Sequence, residues 1–227
     1  MIFYRWHPEV AIRYLPIVRE IRGIGGIREP SVLEVGSGGL GIAPYLGRKV
    51  VGLDIKFTQP VHPLLTTKIG KAEQIPYPDK SFEVVMAVDV LEHLSKEKRE
   101  KVVKEMKRVA KKEIIIAVPT GKLAQEQDKQ LALEYQKRNH KDFPFFTDHQ
   151  KCGLPEVEEI ANMLEANVRI EENEPLALRE FLMRGWMNQN FLAKIFYWKF
   201  LLLFIWAFKF FDRPPYYRTI FYVKNWN

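Results

Sequence analysis

Three glycines, Gly36, Gly38 and Gly41, stand at G-x-G-x-x-G spacing inside the run Val32 to Leu46, VLEVGSGGLGIAPYL. Glycine at such points lets the main chain turn sharply and approach a ligand with no Cβ in the way. A strand before the turn and a helix after it would make it a cradle for a nucleotide-like ligand. Asp54 ends the next apolar run, 18 residues after Gly36, where its carboxylate can accept both hydroxyls of a ribose. Glu34 lies two residues before the first glycine. A carboxylate there is a poor neighbour for a pyrophosphate and a good one for an ammonium group. Two histidines are candidates for a general base on an acceptor: His93, and His149 with Asp148 beside it in sequence. His149 and the single cysteine, Cys152, form too sparse a set to predict a metal site.

These residues need a scaffold, and the flanking patterns supply one. Ser31–Val35, Lys49–Leu53, Thr66–Gly70, Phe82–Val88, Glu113–Val118 (EIIIAV), Val168–Ile170 and Thr219–Val223 read as strands. Helices are predicted over part of residues 1–22, broken at Pro8 and Pro16, and over Glu92–Ala110 and Pro155–Ala166. Strands alternating with helices predict an α/β fold: a Rossmann-like, doubly wound, mostly parallel seven-stranded sheet. One domain spans 1–227, with its core at 27–172 and 218–227. Segments 120–150 and 173–217 fall outside the rhythm. They are expected as helical insertions at the carboxyl edge of the sheet, building an acceptor pocket or lid.

A ligand with a ribose, an adenine and an ammonium group is S-adenosyl-L-methionine, and here the sequence resembles the class I S-adenosylmethionine-dependent methyltransferases, particularly methyltransferase type 11. Glu34, Gly36 and Gly38 match that family's first motif and Asp54 its second. Ala72-Glu73-Gln-Ile-Pro-Tyr-Pro-Asp-Lys-Ser-Phe82-Glu83 matches the third, and Asp89-Val-Leu-Glu92-His93 the fourth. The match covers roughly residues 31–120. The resemblance implies that Gly36, Ser37 and Gly38 face the methionine moiety, with Gly41 a less secure contact because Leu40 stands where a third glycine is common. It implies that Asp54 and Ile55 meet the ribose end, Ala72 and Glu73 the adenine, and that Val88 and Asp89 floor the sulfonium. Methyl transfer then needs in-line positioning and exclusion of water more than acid–base chemistry. Tyr4, Trp6 and His7 are candidates to close over the cofactor.

Composition narrows the acceptor. The chain has 227 residues, 47% hydrophobic and 28% charged, with a formal net charge of +7. Much of that excess sits in Lys96–Lys112, an amphipathic, acid-interleaved segment that reads as a solvated helix face, so nucleic acid is not expected as a partner. RNA or protein methylation, and a catalytically silent membrane-associated cofactor-binding protein, are the competing readings. A single cysteine and an N-terminus without a cleavable leader predict a reducing, cytoplasmic setting. Residues 191–211 (FLAKIFYWKFLLLFIWAFKFF) are expected as an apolar aromatic helix whose charges are Lys194, Lys199 and Lys209. Its uncharged run is too short for a bilayer span. It fits a peripheral anchor at the inner face of the membrane, a pocket wall for a lipid- or glycan-linked acceptor, or a homodimer contact. The acceptor expected is therefore a small or lipid/glycan-linked molecule.

Overall fold

The computed structural model describes residues 8–24, 29–165, 167–188, 190–201 and 205–224. Tyr4, Trp6 and His7 lie outside the described residues. Seven strands form one sheet: β1 (Val32–Val35), β2 (Val50–Asp54), β3 (Leu65–Ile69), β4 (Phe82–Val88), β5 (Ala110–Pro119), β6 (Val168–Pro175) and β7 (Tyr216–Lys224). Their order is β3-β2-β1-β4-β5-β7-β6, parallel except for β7, which runs antiparallel to both neighbours. This is the doubly wound sheet that the alternation of strands and helices predicts.

Two core layers cover the sheet, and the period of two along each strand divides its side chains between them. Leu33, Val35, Val85, Ala87, Ile114 and Ile116 face α3 (Lys96–Val109) and α6 (Val157–Leu164). Val32, Val84, Met86, Val88, Ile115 and Ala117 face α1 (Pro8–Gly23) and the short α2 (Ala43–Leu46). Both faces are apolar, so β1, β4 and β5 read as unbroken hydrophobic runs. The edge strand β3 buries Leu65 alone and presents Thr66, Thr67 and Lys68 to solvent, a sequence that discourages further pairing. Helix α3 buries Val102, Val103, Met106 and Val109 at helical spacing.

Three boundaries differ from the sequence reading. Pro16 does not break α1; the carbonyl of Ile12, four residues back, accepts instead from Asn173 Nδ2 at 3.3 Å. The predicted helix from Glu92 begins as a 3₁₀ turn, Leu91–His93, and α3 starts only after extended Ser95. Strand β6 continues to Pro175 because β7 offers it a partner along that whole length.

The connections after β5 and β6 both leave the carboxyl edge, as expected. The first carries α4 (Gly121–Asn139) and α5 (Pro144–Cys152); the second carries α7 (Leu176–Trp186), and these helices join through Leu131, Tyr135, Phe146, Met183 and Met187. Among its described residues, segment 191–211 is not a regular α-helix. It runs as α8 (Phe191–Ile195), a π-helical turn Phe196–Phe200 and a 3₁₀ stretch Ile205–Phe211. The Tyr197 ring occupies the space left where Gly185 has no side chain, and Phe196 stacks on Phe200 with centroids 4.9 Å apart. The side chains of Lys194, Lys199 and Lys209 lie outside the described ones. Among the described residues no helix is long and apolar enough to cross a membrane.

Candidate functional site

The glycine turn leaves β1 and crosses the carboxyl end of β2. Gly36, at φ +73°, donates its N–H to Leu53 O at 2.7 Å, and a Cβ there would strike Val90. Gly38, at φ +56°, differs: nothing lies within 4 Å of where its Cβ would be. Its N–H donates to Asp54 Oδ2 at 2.8 Å, while Oδ1 accepts from Lys56 N at 3.2 Å. Ile55, next along, leaves 72% of its surface uncovered. An open glycine, a carboxylate with lone pairs to spare and an exposed apolar side chain thus lie together at one edge. Ser37 is buried against Gly52 and donates to Gly38 O at 3.1 Å.

Glu34 does not face that edge. It is 1% exposed, and its oxygens accept from Tyr14 Oη at 2.8 Å and Ile42 N at 2.7 Å. Burial pushes its carboxyl up to about 7 against the pull of those two donors. Instead of meeting an ammonium group it ties the turn to α1. Gly41 belongs to the same arrangement, since a Cβ there would strike Glu34 Oε2. The sequence pattern placed the turn after β1, where it stands, and did not foresee that its acid points back toward α1.

Ala72 packs partly buried against the core, and Glu73 reaches Lys98 at 3.9 Å. Val88 is 5% exposed at the end of β4. Asp89, at φ +53°, has both oxygens bound by Arg218, Nε–Oδ1 at 2.8 Å and Nη2–Oδ2 at 3.0 Å, and Arg13 closes on Oδ2 as well. Burial would raise this carboxyl, but the two guanidinium groups hold it at about 2. Arg218 also binds Glu174, itself buried and at φ +63°. Asp89 is thus the centre of an ion-pair network rather than a bare floor. Arg13, Arg218 and Glu174 went unseen in the sequence because they meet only when α1, β6 and β7 reach the same edge.

His93 and His149 do come together, with ring centroids 5.0 Å apart. The neighbouring Asp148 does not orient His149. It lies 3.8 Å from His93 Nδ1, while His149 Nδ1 is 2.6 Å from Asp128 Oδ2. Successive residues of a helix point in different directions, and α5 turns Asp148 to solvent. Asp128 is fully buried and held by Arg179 at 2.6 Å and Tyr217 Oη at 3.1 Å. Its signal was present: Ala124, Gln127, Asp128, Leu131 and Tyr135 mark the buried stripe of α4, an odd place for an acid. His93 is pushed below its ordinary range by burial and by His149, with Asp148 opposing. Glu92, beside it, is fully buried and raised well above the carboxylate range by burial and the charge of Asp89. Cys152 points its thiol at His93 O, 3.4 Å away.

The chain resembles known proteins in this same region. Residues 33–118 match the family model described as a methyltransferase domain. No curated protein matches the chain. Among solved structures, phosphoethanolamine N-methyltransferase 2 of Haemonchus contortus, with phosphomonomethylethanolamine and S-adenosylhomocysteine, aligns at TM-score 0.57 and 16% identity. That alignment covers 93% of this chain and 53% of the other, so the chain spans about half the length of the worm protein. Magnesium protoporphyrin IX methyltransferase of Synechocystis, with bound S-adenosylhomocysteine, aligns at 0.56 and 13% identity over 94% and 82% of the two chains. Geranyl diphosphate C-methyltransferase of Streptomyces coelicolor aligns at 0.56 and 9% identity over 92% and 78%. At these identities the likeness shows the fold. The matched segment, the glycine turn it contains and the order of the strands agree: residues 33–118 resemble a methyltransferase domain, and the chain has the fold of the class I S-adenosylmethionine-dependent enzymes.

Proposed function

We propose that this chain is an S-adenosylmethionine-dependent methyltransferase acting on a small or lipid/glycan-linked acceptor. The observation that carries the cofactor reading is the open edge itself: the space beside Gly38, with Asp54 and uncovered Ile55 next to it. When bound, S-adenosylmethionine supplies a methyl group on a sulfonium, already activated for transfer. Gly36, Ser37 and Gly38 hold the amino-acid end, Asp54 accepts the ribose hydroxyls beside Ile55, and Ala72, Glu73 and Val88 border the rest. The α4–α5 and α7–α8 connections cover the carboxyl edge and exclude water from the acceptor. His93 and His149 stand at the acceptor side, where a group that activates a hydroxyl or amine belongs. The exposed side chains of Phe191, Leu192 and Phe211 favour a greasy or membrane-borne acceptor over a free polar one.

Two measurements test this. Asp54→Ala should weaken S-adenosylmethionine binding ten- to a hundredfold by calorimetry without unfolding the chain; unchanged affinity would remove the ribose assignment. Labelled methyl transfer into fractionated cell extract should place label in lipid, glycan or small molecules. Label confined to RNA or protein would overturn the acceptor class.

A further inference from the structure

Glu92, His93 and His149 come from two segments of chain and converge on one point: each offers a ligand atom within 4.8 Å of the other two. Their polar atoms are buried and lack hydrogen bonds. Neither carboxylate oxygen of Glu92, nor Nδ1 of His93, nor Nε2 of His149 has a hydrogen-bond partner, although Glu92 is 0% and His149 1% exposed. One such orphan costs about 1–3 kcal/mol; three facing one another need a common explanation. His149, donating Nδ1–H to Asp128, directs the lone pair of Nε2 inward, and deprotonated Glu92 and His93 Nδ1 add theirs to the same point. Asp128 is in turn fixed by Arg179 and Tyr217. A carboxylate holding the far nitrogen of a histidine whose near nitrogen is free is the outer-shell arrangement that orients imidazoles on metals. A set of buried acceptors lacking donors is satisfied by a cation.

We propose that Glu92, His93 and His149 bind one divalent cation of borderline softness, such as zinc or ferrous iron. Two imidazoles and one carboxylate suit such ions better than magnesium or calcium, which favour all-oxygen ligands. Three protein ligands leave a coordination position open. Glu92 and His93 follow β4 toward the carboxyl edge of the sheet, so an open position reached from that edge would bind an oxygen or nitrogen of the acceptor and polarise it. His149 Nε2 then serves as a ligand and not as a base. This role for the cation rests on the methyltransferase reading; its binding does not.

The test uses the full chain without a polyhistidine tag, stripped with chelator and titrated with cobalt(II), read by visible absorption. One equivalent should bind with the intense bands of a four- or five-coordinate nitrogen–oxygen site, and zinc should displace it. His149→Ala and Glu92→Gln should each weaken binding at least a hundredfold. Asp128→Asn keeps all three ligands and should weaken it ten- to a hundredfold. Circular dichroism melts check that the variants are folded, and the wild-type titration stands whatever they do. A stripped wild-type chain that takes up no cobalt overturns the site, as does His149→Ala binding as tightly as wild type. S-adenosylmethionine calorimetry on the same samples separates the readings. Cofactor bound without cobalt removes the cation and keeps the methyltransferase, whereas cobalt bound without cofactor does the reverse.

Discussion

Two neighbouring strands of the sheet end in buried acids that are treated in opposite ways. On β1, Glu34 is 1% exposed and both oxygens are bonded within the chain. After β4, Glu92 is 0% exposed and neither oxygen is bonded. Between them in sequence, Asp89 is gripped by two arginines and held at about 2, while burial pushes Glu34 up to about 7 and Glu92 well above its usual range. Burial alone does not decide what a carboxylate is for; the partners do. Where the chain supplies donors to an acid it is fastening its own loops. Where it withholds them, beside a histidine aimed at the same point, it leaves chemistry for something outside the chain.

The sharpest way to break that contrast is to take partners away from the fastened side. Arg218→Met takes away the guanidinium bound to buried Glu174 and leaves Asp89 with Arg13 alone, at a position that is itself 1% exposed. Losing one partner of such a network costs about 3–5 kcal/mol, to be read from urea unfolding. A loss below about 1 kcal/mol would mean that this network is solvated, and Glu92 would then lose its standing as the exception. Gly36→Val comes next. A β-branched residue at φ +73° is strained, and its side chain must displace Val90, for a combined cost of about 3–4 kcal/mol. Cofactor affinity should fall further than in Asp54→Ala. A stable, cofactor-binding variant would show that the turn can move without loss.

How far the sequence could be read follows the same division. The mostly parallel sheet and the place of the glycine turn after its first strand were legible because each depends on contiguous residues: EIIIAV is buried on both faces, and Gly36, Gly38 and Asp54 mark strand ends. The acids were not. Glu34 looks like a ligand contact from its spacing, and only α1, packed back over the turn through Tyr14, shows otherwise. His149 has an aspartate as its sequence neighbour and a different one, 21 residues away, as its partner. Arg218 and Asp89 are 129 residues apart. Pairings of this kind are set by tertiary closure, which leaves no period in the sequence to count.

The mildest test returns to Glu34 itself. Its carboxyl sits at about 7 in the fold against 4.5 when free, so the folded chain holds a proton there that the unfolded chain gives up. The stability it contributes is complete below about pH 4.5 and is lost as the pH rises to 7. Glu92, Glu113 and Glu174 are also raised, so the wild-type slope mixes several groups. Glu34→Gln isolates this one, because its neutral amide resembles the protonated acid and has no charge to lose. Near pH 4.5 the variant should match wild type to within about 1 kcal/mol. By pH 7.5 its stability relative to wild type should have risen by about 2–3 kcal/mol, measured by denaturant melts across the range. A flat difference would mean that Glu34 is ionised in the fold at both ends of the range. Tyr14 and Ile42 would then be holding a charge whose natural counterpart is a cation beyond the turn, and the ammonium of a bound cofactor would again be its partner.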